Sequence, residues 1–552
     1  MATETIPAVE PGAANDREVA PSLSATGGDS GLTWKVWSVL ALLIVIGLAF
    51  RVSHLGALGF AEDEVNKIDA VRAYERGDIT ANAEHPMLMK ALMYVSLKTG
   101  HALSAGGKTV SDEALSRLPN SIFGALTVIP LFLLTAAFFD RWTGLTAAAL
   151  WAVGVNAITY NRIGKEDTLL VFFMLFAFYF YLRAKQTDTR NVPVRRRNYL
   201  RSGISFGLML ASKYFPHYWG LNQLYHHNFH QRKREPGEPP GNTPRLFYIA
   251  LIVAFIIANP PVLLPAVWQY LNAYMGEKLL VHTGYLFADH LYKNNVSRSP
   301  FWGTPIYFYL VFMAIKIPLL VLASFLIGLA VSVKRRTGPG YAFVLFMFLF
   351  WIVPYSLFGA KWLRYTLSLM PFVYMLAAIG VVELYRFLSR RLPAKSSRAV
   401  LAVVIAAIFI GGPAWLASSA GPHYGLYTNA LAANKVGYFF PHDEFYDDGL
   451  REAIKFVCDT APAGATIGHE TPAVTHYYLE QFQRTDLNSK AISTPDFQVA
   501  NIPGPAYFIV QRGRTYFENQ EKLEFIRAHY RKIHEVSVKG MTAAAVFVNE
   551  PK

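Results

Sequence analysis

The stretch SIFGALTVIPLFLLTAAFF, residues 121–139, contains no charged side chain, and about 20 such residues cross the hydrocarbon core of a bilayer. Runs of the same kind lie at 37–50, 247–267 and 399–416. Over the whole chain of 552 residues, 53% are hydrophobic and 16% charged. Soluble domains carry about 25% charged residues, so the composition reads as a helical polytopic membrane protein. Eleven candidate spans fall near 35–52, 119–139, 144–160, 167–183, 199–212, 214–229, 246–268, 304–332, 341–358, 363–387 and 399–418.

The formal net charge is +14, and its distribution says more than its size. Lys and Arg are retained on the cytoplasmic side of a membrane. Arg195 to Arg197, Arg232 to Arg234, Lys334 to Arg336 and the Arg386, Arg390, Arg391 group all fall inside if the N-terminus is inside and 199–229 is crossed twice. This use of the positive charge argues against nucleic acid as a partner. Cys458, the single cysteine, allows no intramolecular disulfide.

Three regions are expected. Residues 1–33, rich in Ala, Pro, Gly and Ser, read as a disordered cytoplasmic tail, and 34–418 as the membrane domain with a first outer loop at 53–118. Residues 419–552 read as a soluble outer α/β domain, with helical spacing at 447–457 and 523–533 and strands at 506–510 and 543–548. Asp443, Glu444, Asp447 and Asp448 read there as a solvated helix start.

Candidate chemistry gathers at the outer edge. The first outer loop carries Glu62-Asp63-Glu64, then Glu84-His85-Pro86-Met87-Leu88-Met89-Lys90, with His85 just ahead of a helix on the membrane surface. A second loop reads Asn161-Arg162-Ile163-Gly164-Lys165-Glu166-Asp167, where Glu166 and Asp167 also fit a plain helix cap. The topology adds Lys213, Lys361 and Arg364 to the same surface, although Lys361 alone also fits a snorkelling lysine. A carboxylate can remove a proton from an acceptor hydroxyl while cations hold a departing phosphate. No Gly-rich phosphate loop, HExxH or CxxC pattern is present, and a divalent cation on carboxylates is left open as a cofactor.

In order and spacing these residues, over roughly 35–390, resemble the polyprenyl- or dolichyl-phosphate-mannose protein mannosyltransferases and the related bacterial lipid A aminoarabinose transferases. The family's Asp-Glu pair is matched by Asp63-Glu64, and its His-Pro-Pro-Leu-Gly-Lys stretch by residues 85–90 with Met87 and Met89 substituted. Its Arg to Leu-Asp motif is similar to Arg162 to Asp167, its lysine after the fifth span to Lys213, and its Arg-Tyr to Arg364-Tyr365.

The resemblance implies a glycosyltransferase C (GT-C) fold and an inverting transfer from a polyprenyl-phosphate sugar, among membrane lipids, to a protein, glycan or lipid hydroxyl. Asp63 would then be the base, with Glu64 beside it. His85 and Asp167 would bind acceptor or donor sugar. Arg162, Lys213, Arg364 and Tyr365, together with Lys361, would bind the lipid phosphate. The expected setting is a bacterial inner (plasma) membrane, N-terminus inside and C-terminal domain outside. A transporter or flippase of polyprenyl-linked substrates is the alternative, since charges within spans also line transport paths.

Overall fold

The computed structural model describes residues 33–104, 110–229, 242–276, 284–294 and 301–551. The expected tail up to residue 32, His230 and the Arg232 to Arg234 cluster lie outside the described residues. The chain is an integral multi-pass membrane protein. Among the described residues six helices are long and apolar enough to cross a bilayer: Trp34–Val52, Asp112–Phe138, Asp167–Gln186, Pro339–Leu357, Met370–Ser389 and Lys395–Ala420.

A seventh candidate is the pair Phe308–Lys316 and Leu319–Lys334, which the sequence presents as one span. It bends by 120° at the break. Pro318 explains the bend, because it lacks an N–H and drives Ile317 out of the helical region, to ψ 132°. Helices that are shorter or less apolar occupy the other four expected positions: Arg141–Val153 with Val155–Asn161, Val192–Ser212, His217–Asn228 and Arg245–Ala258.

One end of the bundle carries Arg335 and Arg386 on Glu383, with Arg386 also 2.8 Å from Asp140. At the opposite end, reached along the Asp112–Phe138 segment, the Tyr477 hydroxyl donates to Asp112. There the Glu62–Glu75 and Met87–Ser104 helices of the first loop meet the C-terminal region. Val65, Ile68, Met89 and Met93 share one apolar cluster with Leu450, Ile454, Val474 and Ile509, so the loop and the C-terminal unit fold against each other rather than separately.

Seven strands are present among the described residues. β1 (Gly284–Phe287) and β2 (His290–Lys293) form a hairpin. β3 (Thr466–His469), β4 (Asn488–Ala491), β5 (Ala506–Gln511), β6 (Tyr530–Val538) and β7 (Met541–Pro551) form a sheet of order β4-β3-β5-β7-β6. β3 is parallel to β4 and β5, whereas β7 is antiparallel to β5 and β6. The helix expected over 523–533 is Gln520–His529; from Tyr530 the chain pairs with β7 as β6, and the ladder overrides the helical spacing.

The acidic group at 443–448 is also not solvated. Asp443, Glu444, Asp447 and Asp448 are all buried, each facing a partner far away in sequence: Tyr285, Lys316, Arg514 and His423. Lys316 ties the bent helix pair to the C-terminal region, donating to Glu444 Oε1 and to the Gly425 carbonyl, both at 2.8 Å. Lys316→Met would strand the Glu444 carboxylate in a buried site, a loss of about 3–5 kcal/mol. A markedly lower melting temperature in detergent is expected, recovered in part by Lys316→Met/Glu444→Gln; unchanged melting would contradict the pair's role.

Candidate active site

A cavity of about 650 Å³ lies between the end of the bundle opposite Glu383, the first loop and the C-terminal unit. Asp63 faces it from the first turn of Glu62–Glu75, where the helix dipole favours negative charge. Its Oδ1 lies 3.1 Å from Lys165 Nζ. Its Oδ2 accepts from Arg364 Nη1 and from the Tyr446 hydroxyl, the latter at 3.1 Å. Burial by itself would raise this carboxyl, but Arg364, Lys165 and Lys67 hold it well below the usual carboxylate range.

Behind Asp63 a second layer is paired. Lys67 sits 2.9 Å from Glu166 Oε1 and donates to the Asp63 carbonyl at 3.2 Å; burial pulls it down to about 8 against the attraction of Glu166. Glu166, expected as a helix cap, makes no capping bond and instead faces Lys67, Lys165 and His85. Asp167 binds Lys213 at 2.6 Å, and the ammonium also lies 4.6 Å from the Tyr365 ring centre. Lys213, Arg364, Tyr365 and His85 all line the cavity. Asp167 supports Lys213 from behind.

Three expected site residues are spent elsewhere. Glu64 is fully buried: Arg117 grips both its oxygens at 2.8 and 2.6 Å, and it accepts from the backbone N–H groups of Gly164 and Ala61. Arg117 also holds the carbonyls of Leu55, Leu58 and Gly59, so this pair fixes the loop that carries Asp63. Arg162 donates to the carbonyls of Phe50, Arg51, Ser53 and His54 over the Tyr424 ring. Phe50 and Arg51 close the last turn of Trp34–Val52, where a cation is favoured, and the four carbonyls together take Arg162 away from any phosphate. Lys361 is buried with its ammonium on the Thr304 and Phe358 carbonyls, neither snorkelling nor in the cavity wall.

The sequence reading passed over Lys67, Lys165, Tyr446 and Arg514. Lys67 stands one helical turn after Asp63, a spacing that signals contact. Tyr446 and Arg514 come from the far end of the chain and have no local signal. Tyr446 and Asp447 both adopt left-handed backbone, at φ 49° and 65°, and such strain persists only where surrounding contacts enforce it. Among the described residues no group of three or more His, Cys, Asp or Glu side chains is arranged to hold a metal ion.

Residues 106–264, which include Arg117, Lys165, Asp167 and Lys213, match the model of the dolichyl-phosphate-mannose-protein mannosyltransferase family. This segment is similar to that family, and the match covers less than half of the chain. The apo structure of ArnT from Cupriavidus metallidurans aligns with 94% of this chain and 98% of its own at 14% identity, with a TM-score of 0.50. The likeness is one of fold, the GT-C fold. ArnT bound to undecaprenyl phosphate aligns over 94% and 99% at 14% identity and a TM-score of 0.48. The oligosaccharyltransferase AglB from Archaeoglobus fulgidus, in complex with an inhibitory peptide and a dolichol-phosphate, aligns over 93% and 75% at 12% identity and 0.47. No curated protein matches the chain in sequence.

His85 illustrates how the site fixes protonation. Lys165 can only donate, so His85 Nε2, 3.5 Å from that ammonium, is the accepting nitrogen and Nδ1 carries the proton towards Glu166 at 3.7 Å. Burial, with Lys165 and Lys67 and against the pull of Glu166, holds His85 well below its ordinary value. An unfolded chain takes up this proton near pH 6.5 while the folded chain does not, so stability falls as pH drops below that value. Melting curves at pH 7.5 and 5.5 should show His85→Gln losing up to about 1 kcal/mol less per pH unit than wild type; identical losses would mean that His85 titrates normally.

Proposed function

We propose that the chain is an inverting glycosyltransferase that moves a sugar from a polyprenyl-phosphate donor to an acceptor hydroxyl on the outer membrane face. The observation that supports this reading is the Asp63 carboxylate, held between Lys165 and Arg364 in a cavity that also exposes Lys213 and Tyr365. An anion-binding set and a carboxylate base then share one space.

As the structure stands, Asp63 is a weak base because Arg364, Lys165 and Lys67 stabilise its charge. A donor phosphate entering beside Arg364, Lys165 and Lys213 competes for those cations and frees the carboxylate, whose basicity rises. Asp63 then takes the proton of the acceptor hydroxyl. The acceptor oxygen bonds to the anomeric carbon, the bond from that carbon to the phosphate oxygen breaks, and polyprenyl phosphate leaves with its charge on the same cations. Attack opposite the leaving group inverts the anomeric centre. His85, neutral, orients a sugar hydroxyl; Asp167 holds Lys213 at the phosphate, and Glu64 acts through Arg117 by fixing the loop.

The same reading takes the eleven helical segments as crossings and 34–418 as the membrane domain. It puts Asp140, Arg335 and Arg386 on the cytoplasmic side of a bacterial inner membrane and 419–552 outside as a domain. With purified protein and a panel of polyprenyl-phosphate sugars, Asp63→Asn should lower polyprenyl phosphate release by about 100- to 10,000-fold. A folded variant that matches wild type would remove Asp63 as the base; liposomes that translocate the lipid without releasing phosphate would favour a transporter.

A further inference from the structure

The cavity has to seat two substrates, and its walls differ in charge. The wall with Lys165, Lys213 and Arg364 suits the donor phosphate. The other wall starts on the helix that carries Asp63, where Glu62, Asn66 and Asp69 succeed one another at i, i+4 and i+7 and so share a helix face. Arg514 and Tyr516 line the cavity beside them. Arg514 Nη1 donates to Glu62 Oε2 at 2.7 Å and to the Tyr516 hydroxyl at 3.0 Å, while its other edge is neutralised by the buried Asp447. Glu62 and Asp69 keep exposed carboxylate surface, their side chains being 32% and 54% accessible.

The fold supplies an independent reason to place a ligand here. β3, β4 and β5 run parallel, and the chain at or just past their carboxyl ends opens on the cavity: Ala473 after β3, Ala491 at the end of β4 and Arg514 after β5. Ligands of open sheets with parallel strands bind in the crevice at those ends. Three segments of the C-terminal unit thus reach one wall beside Asp63.

Building on the transferase reading, we propose that the acceptor is a hydroxyl of a neutral carbohydrate chain, bound over the Glu62, Asn66, Asp69 face where Arg514 and Tyr516 adjoin it. Carboxylates accept from sugar hydroxyls, and Asn66 and Arg514 can donate to them, so each hydroxyl finds both functions. An anionic headgroup would meet Glu62 and Asp69 against an Arg514 already neutralised by Asp447. An extended peptide binds along a strand edge, and here the sheet offers strand ends. Glu62 adjoins Asp63 in the same turn, which brings a hydroxyl held on this face to the base.

The test uses purified full-length enzyme, a radiolabelled polyprenyl-phosphate sugar, and polysaccharide, protein and lipid fractions of the source cell envelope as acceptors. Label should enter the polysaccharide fraction. Asn66→Ala and Asp69→Asn should each raise the KM for that fraction about tenfold, as the loss of a hydrogen bond or two does, and raise the donor KM far less. Label entering protein or lipid overturns the carbohydrate assignment and leaves the transferase reading standing. Polysaccharide labelling with an unaltered KM in both variants overturns the location. No label leaving the donor with any fraction overturns the transferase reading and this subsite with it.

Discussion

Asp63 is held by side chains from three separate parts of the chain: Lys165 from the loop before Asp167–Gln186, Arg364 from the turn before Met370–Ser389, and Tyr446 from the start of the C-terminal unit. A buried carboxylate without partners costs several kcal/mol, and each cation here would be as costly alone. The ion pairs therefore act as a constraint on assembly, because the first loop, the membrane bundle and the C-terminal unit must all be in register for any of these charges to be satisfied. On the proposed reading the same constraint gives the site its chemistry, since cations that hold a carboxylate can also hold a phosphate.

Around this centre the buried charges divide into those that do mechanical work and those left open to the cavity. Arg117 with Glu64, Arg162 with four carbonyls, and Lys316 with Glu444 are closed sets with little capacity for a ligand. Lys213, Arg364 and Asp63 keep a face towards the cavity. Satisfied buried polar groups rigidify their surroundings. The closed sets thus hold the open ones at fixed distances, which a transfer between two bound substrates requires.

The six long helices and the bent pair were legible in the sequence, because apolar runs report such positions directly. What single residues do was less so. Asp63, His85, Lys213, Arg364 and Tyr365 do line the cavity, whereas Glu64, Arg162 and Lys361 lie at the same end of the bundle and are consumed by Arg117 or by backbone carbonyls. Sequence gives the edge on which a charge lies; partners distant in the chain decide whether that charge is free. Glu444 reads as solvated until Lys316, 128 positions away, is seen beside it. Lys67 alone among the overlooked site residues had a local cue, its place one turn after Asp63.

The central claim is that Asp63 and the donor phosphate compete for the same cations, and binding of polyprenyl phosphate to wild type and to Asp63→Asn tests it without any acceptor. Removing the carboxylate's charge releases Arg364 and Lys165, so the variant should bind polyprenyl phosphate more tightly, by about tenfold for a gain of about 1.4 kcal/mol. Equal or weaker binding by a folded variant would contradict the account.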